Sequence, residues 1–297
     1  MALLQYCRYI VLLTLFSPLL SFSQGTLVEG LIYEKGENQP IPYANVSISK
    51  KMEGTYSDLN GHFSLYCSPG DTIQISFVGY KTIILPVFDL SDTIYLVPSP
   101  ITLEQVEIVS KKSSKKGVTL DLGFYKERKD GLYTGFRQAA LKINNETGRE
   151  GIINYINYKI GHLSDFPHNK YQVRVRILTV TDQNSPGEDL LTKEKILTIG
   201  KRQRKLKVDL SDASVVFPTE GCFIVLEFLG HINEKGKFIP YNDTYRENSY
   251  HFAPVFSASH QKQMSWIGSG TNWKQTSMRL PSGFANFNFG IEVKTFE

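Results

Sequence analysis

Residues Gly54–Lys81 read "GTYSDLNGHFSLYCSPGDTIQISFVGYK", and this stretch decides the fold. Asp58-Leu59-Asn60-Gly61 sets two residues that tolerate left-handed backbone angles beside a glycine, the chemistry of a tight hairpin turn. After it Phe63, Leu65 and Cys67 alternate with His62, Ser64 and Tyr66. Successive strand side chains point to opposite faces, so the first set shares a buried side. Pro69-Gly70-Asp71 ends that strand. Ile73, Ile75 and Phe77 then alternate with Thr72, Gln74 and Ser76 as far as Gly79, a second half-buried strand. The pattern predicts that these two strands pair.

The rhythm extends both ways. Upstream lie "VEGLIYE" (Val28 to Glu34) and "PYANVSISK" (Pro42 to Lys50); downstream lie "KTIILPV" (Lys81 to Val87), "DTIYLVP" (Asp92 to Pro98) and "LEQVEIVS" (Leu103 to Ser110). Short strands at near-regular spacing, punctuated by Gly, Pro and Asp, indicate an all-β sandwich of roughly seven strands. The order of "G-x-I-Y", "P-x-P-Y-A-N-V", "G-T-Y-S-D-L-N-G-H-F-S-L" and "G-D-T-I-x-I-S-F-V-G-Y-K", from Gly30 to Lys81, resembles the carboxypeptidase-regulatory-like domain, a prealbumin-like sandwich. That family stands behind the catalytic domain of some zinc carboxypeptidases and at the N-terminus of many TonB-dependent outer-membrane receptors. The resemblance covers about residues 25 to 110. It implies a fold and an envelope or surface context, since the family carries no catalytic residues of its own.

At 297 residues, with 41% hydrophobic and 21% charged side chains, the chain has room for about two globular domains. Residues 1–23 carry one charge, Arg8, then an apolar run from Tyr9 to Leu20, then Ser21 and Ser23 ahead of Gln24. This is the pattern of a secretory signal peptide; the apolar run is too short for a spanning helix and holds Pro18. Export leaves Cys67 and Cys222. Each sits in an apolar strand pattern, which favours two buried thiols over an interdomain bridge. Loss of Arg8 takes the formal charge from +4 to +3, a mild basicity that gives no case for an acidic partner, and an exported chain has little access to nucleic acid. "SKKSSKKG" (Ser110 to Gly117) has the composition of a solvated linker. The expected organisation is therefore a signal peptide at 1–23, the regulatory-like sandwich at 24–110, a Lys/Ser linker at 111–117 and a second domain at 118–297.

That second domain also reads as strands: Gly135 to Ile143, Gly151 to Gly161, Tyr171 to Asp182, Glu194 to Gly200, Arg204 to Leu210, Cys222 to Gly230 and Ala285 to Phe296. Val173, Val175 and Ile177 oppose Gln172, Arg174 and Arg176. Cys222 to Leu229 is apolar on both faces apart from Glu227, the mark of a strand in mid-sheet. The expectation is a second antiparallel, jelly-roll-like sandwich. Its sequence resembles C-terminal sandwich segments of exported proteins that carry the regulatory-like domain.

Catalytic patterns are sparse. His231-Ile-Asn-Glu234 has the His-x-x-Glu spacing of the zinc carboxypeptidases, but zinc needs three or four converging ligands, and His251 and His260 have no fixed relation to it. Asp58-x-Asn60-Gly61 lacks the rest of a calcium loop. The sequence therefore points to no catalytic residue, no metal and no cofactor. Between Phe238 and Trp273 the chain is rich in aromatics interleaved with amides and carboxylates, which suits a sugar or peptide surface; Tyr241, Tyr245, Trp266 and Trp273 are the candidate ligand-binding residues. The alternative is that they cap the core. The function that fits best is a non-catalytic exported envelope or cell-surface binding or adaptor protein with an envelope protein or glycan as partner. A glycan-binding protein, a small outer-membrane β-barrel suggested by the alternation of Phe287, Phe289, Ile291 and Val293, and a metallo-carboxypeptidase-like enzyme are the alternatives.

Overall fold

The structure is a computed structural model, and it describes residues 25–99, 117–126, 131–132, 137–161, 169–242, 255–256, 260–277, 279–280 and 283–295. The leader at 1–23, the strand read at 103–110, nearly all of the linker, Tyr245 and His251 lie outside these residues. The described chain is all-β. Its one helical element is a 3-10 turn at Val87–Asp89, and no helix among the described residues is long and apolar enough to cross a membrane.

The first sandwich has seven strands: β1 (Thr26–Glu34), β2 (Asn45–Ile48), β3 (Gly54–Tyr56), β4 (His62–Cys67), β5 (Thr72–Ser76), β6 (Ile83–Pro86) and β7 (Thr93–Leu96). They form two facing sheets, ordered β4-β1-β7 and β3-β2-β5-β6. The alternation of β4 and β5 predicts their buried faces correctly: Phe63, Leu65, Cys67, Ile73 and Ile75 join Ile32, Val46, Ile94 and Leu96 in one core. The expected partners are corrected. β4 pairs β1 and β5 pairs β2, so Pro69-Gly70-Asp71 carries the chain from one sheet to the other. The turn at 58–61 does the same between β3 and β4. Its local chemistry is as expected, with Gly61 at φ +77° and the Asp58 carboxylate accepting from the backbone N–H of Asn60 and His62 at 2.8 and 3.0 Å. A period of two fixes which face is buried but not which strand lies alongside.

The second sandwich holds an eight-stranded and a five-stranded sheet. The five-stranded sheet comprises β8 (Val118–Gly123), β11 (Gly151–Lys159), β15 (Lys205–Asp209), β16 (Val216–Phe217) and β24 (Phe289–Thr295). The eight-stranded sheet comprises β10 (Gln138–Ile143), β12 (Lys170–Val180), β13 (Pro186–Asp189), β14 (Lys195–Gly200), β17 (Cys222–Ile232), β18 (Phe238–Pro240), β20 (Ser265–Ser269) and β21 (Asn272–Gln275). Two small pairs, β9 (Gly131–Leu132) with β19 (Val255–Phe256) and β22 (Arg279–Leu280) with β23 (Gly283–Phe284), complete it. The long strands β10, β11 and β12 alternate between the sheets, as jelly-roll-like connections do. Ile224, Leu226, Ile153, Ile156, Phe289, Ile291 and Val293 fill the space between them. Phe289, Ile291 and Val293 are fully buried there, which replaces the barrel alternative with a packed sandwich: these rings and branches face the opposing sheet. Cys67 and Cys222 lie in separate cores as free thiols.

β17 is buried on both faces because three layers meet at it. Ile224 and Leu226 point into the core, and Phe223, Val225 and Glu227 point outward. The outward face of the eight-stranded sheet is where the candidate site lies.

Candidate binding surface

On one end of that face the tryptophans meet. β20 pairs β10 with Trp266 opposite Ala140, and β21 pairs β20 with Trp273 opposite Gly268. Both indoles are half-buried and rest on Ala140, Leu178, Phe223 and Val225. Trp266 meets Phe223 edge-on, with centroids 6.0 Å apart. Gly268 makes room for this arrangement, since a Cβ there would lie 2.5 Å from the Trp273 ring. Two indoles that keep part of their surface in solvent and share one rigid sheet are able to stack on an apolar ring face. Tyr241 is elsewhere: it is 7% exposed, its ring set edge-on against Phe228, and its carbonyl accepts from Thr55 Oγ1 at 3.1 Å. The structure therefore brings Trp266 and Trp273 together and places Tyr241 between the two sandwiches.

The other end of the face is covered by the first sandwich, and here lie residues the sequence reading passed over. β12 pairs β17 with Arg174 opposite Glu227. Glu227, fully buried, accepts from Tyr56 Oη at 2.9 Å, Gln138 Nε2 at 2.7 Å and Arg174 Nη1 at 3.3 Å. Arg174 also reaches Glu194 at 2.8 Å and the Tyr43 carbonyl. Arg137 donates to the Thr55 carbonyl at 3.0 Å, to Asn45 Oδ1 at 3.3 Å and to Ser269 Oγ, with its guanidinium 4.8 Å from the Tyr56 ring centre. Arg176 forks onto Asp189 at 2.9 and 2.7 Å. A cleft of about 300 Å³ opens beside this cluster, walled by Phe77, Tyr80, Arg176, Asp189 and Thr271.

The charges are set by their surroundings. Burial pushes the Glu227 carboxyl up, but Arg174 and Arg176 with the Gln138 and Tyr56 donors outweigh it and hold the group below its ordinary range. For Glu194 the balance reverses: burial wins over Arg174, and the carboxyl is raised to about 7. Burial and the Glu227 charge raise the Tyr56 phenol well above its usual value. The cluster sets arginines beside carboxylates and, through Tyr56, Thr55 and Asn45, bridges the two sandwiches.

His231 and Glu234 stand at the end of β17 and in the turn after it, where Asn233 Oδ1 accepts from the N–H groups of Lys235 and Lys237 at 3.0 and 2.9 Å. Their spacing is that of a polar strand connection. His260 bridges Phe284 through backbone and stacks on Phe124 at 4.0 Å. Among the described residues no group of three or more His, Cys, Asp or Glu is placed to hold a metal ion.

The seven-strand sandwich and its turn residues define a class, and comparison agrees: residues 28–109 match the family model of the CarboxypepD_reg-like domain. Over 102 residues the chain is 30% identical to the TonB-dependent receptor SusC of Bacteroides thetaiotaomicron, a match that takes up 34% of this chain and 10% of the receptor. The chain thus spans about a tenth of the length of that relative. Among solved structures, the clostridial cysteine protease Cwp84 after propeptide cleavage is similar at a TM-score of 0.38 and 12% identity, over 92% of this chain and 72% of that one.

Proposed function

We propose that this protein is a non-catalytic binding or adaptor module of the bacterial envelope, exported to the periplasm, outer membrane or cell surface. The observation that carries this reading is the match of residues 28–109 to the CarboxypepD_reg-like domain, and the partial identity of the chain to a TonB-dependent receptor supports it. The buried polar cluster around Glu227 supports it. It joins that domain to a second sandwich through buried polar contacts, and a preformed surface binds at lower entropic cost than one that must be ordered. The test is fractionation of a tagged full-length chain: it belongs in the envelope fraction, and recovery from the cytosol would sink the proposal.

A sharper version is favoured by the tryptophan pair. In it Trp266 and Trp273 stack on the apolar face of a glycan ring, and the ligand is read by the outer face of the eight-stranded sheet. A glycan array with the wild-type chain and the Trp266→Ala/Trp273→Ala variant checks this; signals that are equal in both chains would remove the aromatic pair from the binding account.

A further inference from the structure

The cleft of about 300 Å³ beside the arginines takes its walls from both sandwiches, and the binding reading leaves it unused. One wall is the turn Phe77-Val-Gly-Tyr80. The Tyr80 N–H donates to the Phe77 carbonyl at 3.1 Å, the Ser99 N–H donates to the Gly79 carbonyl at 2.8 Å, and Gly79 takes the left-handed φ of +82° that so tight a turn needs. The turn sets the half-buried rings of Phe77 and Tyr80 with centres 5.5 Å apart. Arg174 and Arg176 form the second wall; two positions apart on β12, they leave the strand on one face, and Asp189 meets them from β13. The third wall is the turn between β20 and β21. A Cβ on Gly270 would lie 2.3 Å from Ser47 Oγ, so the bare backbone lets this turn approach the first sandwich and carries Thr271 to the cleft.

The Arg176 fork directs Nε and Nη2 at the Asp189 carboxylate, at 2.9 and 2.7 Å, and among the described residues no acceptor takes Nη1. The two side chains keep 16% and 14% of their surface in solvent, so the pair can be reached from the cleft. Each Asp189 oxygen accepts one of those bonds and retains a lone pair for another. Arg174 is held by Glu194 at 2.8 Å and Glu227 at 3.3 Å, with its guanidinium 5.7 Å from the centre of the Phe77 ring. An anion entering the cleft would compete with carboxylates already seated on both arginines, and Glu188 adds a further negative charge to the lining. A cation would compete with Arg176 for Asp189. A neutral group bearing hydroxyls meets neither conflict, since it accepts from Nη1 and donates to Asp189 without parting the pair.

We propose that this cleft binds a neutral sugar, one hydroxyl accepting from Arg176 Nη1 and a neighbouring hydroxyl donating to Asp189. The Phe77 and Tyr80 rings offer a wall to the apolar face of the sugar ring. The volume stands at the small end of ligand sites and suits a monosaccharide or one residue of a longer chain. The site does not rest on the tryptophan reading: β17 and β10 separate β12, which carries the arginines, from β20, which carries Trp266.

Saturation-transfer NMR on the full chain with the methyl glycosides of glucose, galactose and mannose, and with glucuronate as the charged control, tests this. The expected result is transfer to at least one neutral glycoside and little to glucuronate, with binding weakened about tenfold or more by Asp189→Asn, which removes a charged acceptor. Thr82→Trp fills the cleft from an exposed position and provides the same reading should Asp189→Asn melt early. Trp266→Ala/Trp273→Ala should leave the cleft signal unchanged. No transfer to any neutral glycoside, glucuronate bound as well as glucoside, or binding that persists in both cleft variants would overturn the proposal. Loss in the tryptophan variant with binding kept in the cleft variants would also overturn it, by assigning the sugar to the indoles.

Discussion

Glu227 stands in a strand where every neighbour from Cys222 to Leu229 is apolar, and its charge is tolerated because Tyr56, Gln138 and Arg174 meet it directly. Removing one partner tests how much each contributes. Tyr56→Phe deletes a hydrogen bond to a buried carboxylate without opening a cavity, and should cost about 1.5–3 kcal/mol. Glu227→Ala leaves Arg174 with one fewer counter-charge in a buried site and should cost about 3–5 kcal/mol. Urea unfolding measures both, and equal costs would mean that the carboxylate is not the hub. Glu194 predicts a pH effect. Its carboxyl is raised from 4.5 to about 7 in the folded chain, so the native state holds a proton that the unfolded chain has released. Its contribution is fully present below pH 4.5 and is lost as pH rises through about 7, a change of up to about 3 kcal/mol. Melting curves between pH 5 and 8 should fall with pH in the wild type and flatten in Glu194→Gln; parallel curves would contradict the assignment.

At the scale of elements, β3 is the edge of its sheet, and edges invite unwanted pairing. Here the second sandwich covers it: Thr55 forms a backbone bridge with Asn242, and the Asn242 amide donates to the Ser64 carbonyl at 2.6 Å. The β20–β21 hairpin makes a parallel contact, with the Asn272 amide donating to the carbonyls of Ile48 and Lys51 at 3.1 and 2.9 Å. That hairpin also carries the tryptophans, so it links the domain contact to the candidate surface. Gly268→Val should push the Trp273 ring off the sheet and raise acrylamide quenching of the indole fluorescence above the partial quenching of the wild type. Unchanged quenching would show that the ring does not depend on that close approach.

How much of this was legible follows from what each pattern encodes. The alternations in β4, β5, β12 and β15 are printed in the residues, because a half-buried strand needs one apolar face. The β20–β21 hairpin was missed: its glycines and its half-exposed indoles blur the contrast between faces on which alternation depends. Glu227 appeared only as an interruption, and Arg174 and Arg176 as an ordinary polar face. A lone carboxylate in an apolar run, together with paired arginines on one face of another strand, is a signal that could have been read as a buried ion cluster. The register that sets Arg174 opposite Glu227 is a long-range fact that local sequence does not carry.

At the scale of the whole molecule, the question is whether the two sandwiches unfold together. Each has its own core, yet Tyr56 of the first belongs to the core cluster of the second, and Arg137 of the second donates to Asn45 and Thr55 of the first. Within one chain such a contact couples the domains only if separation exposes groups that water cannot satisfy as well as the protein does. Arg137 and Tyr56 would regain water on separation, whereas the Tyr56 ring and the floor beneath it would lose apolar burial, so the coupling should come mainly from packing. We therefore expect residues 25–110 expressed alone to fold, since Ile32, Val46, Phe63, Leu65, Ile73 and Ile75 close a core without help, but to unfold at lower urea than the same residues in the full chain. The full chain should unfold in one transition, with Tyr56→Ala splitting it in two by emptying the shared position. A fragment with a disordered amide spectrum would show that the first sandwich depends on the second. A fragment as stable as the intact chain would show that the contact orients the two sandwiches without stabilising either, and the splitting by Tyr56→Ala would then be absent.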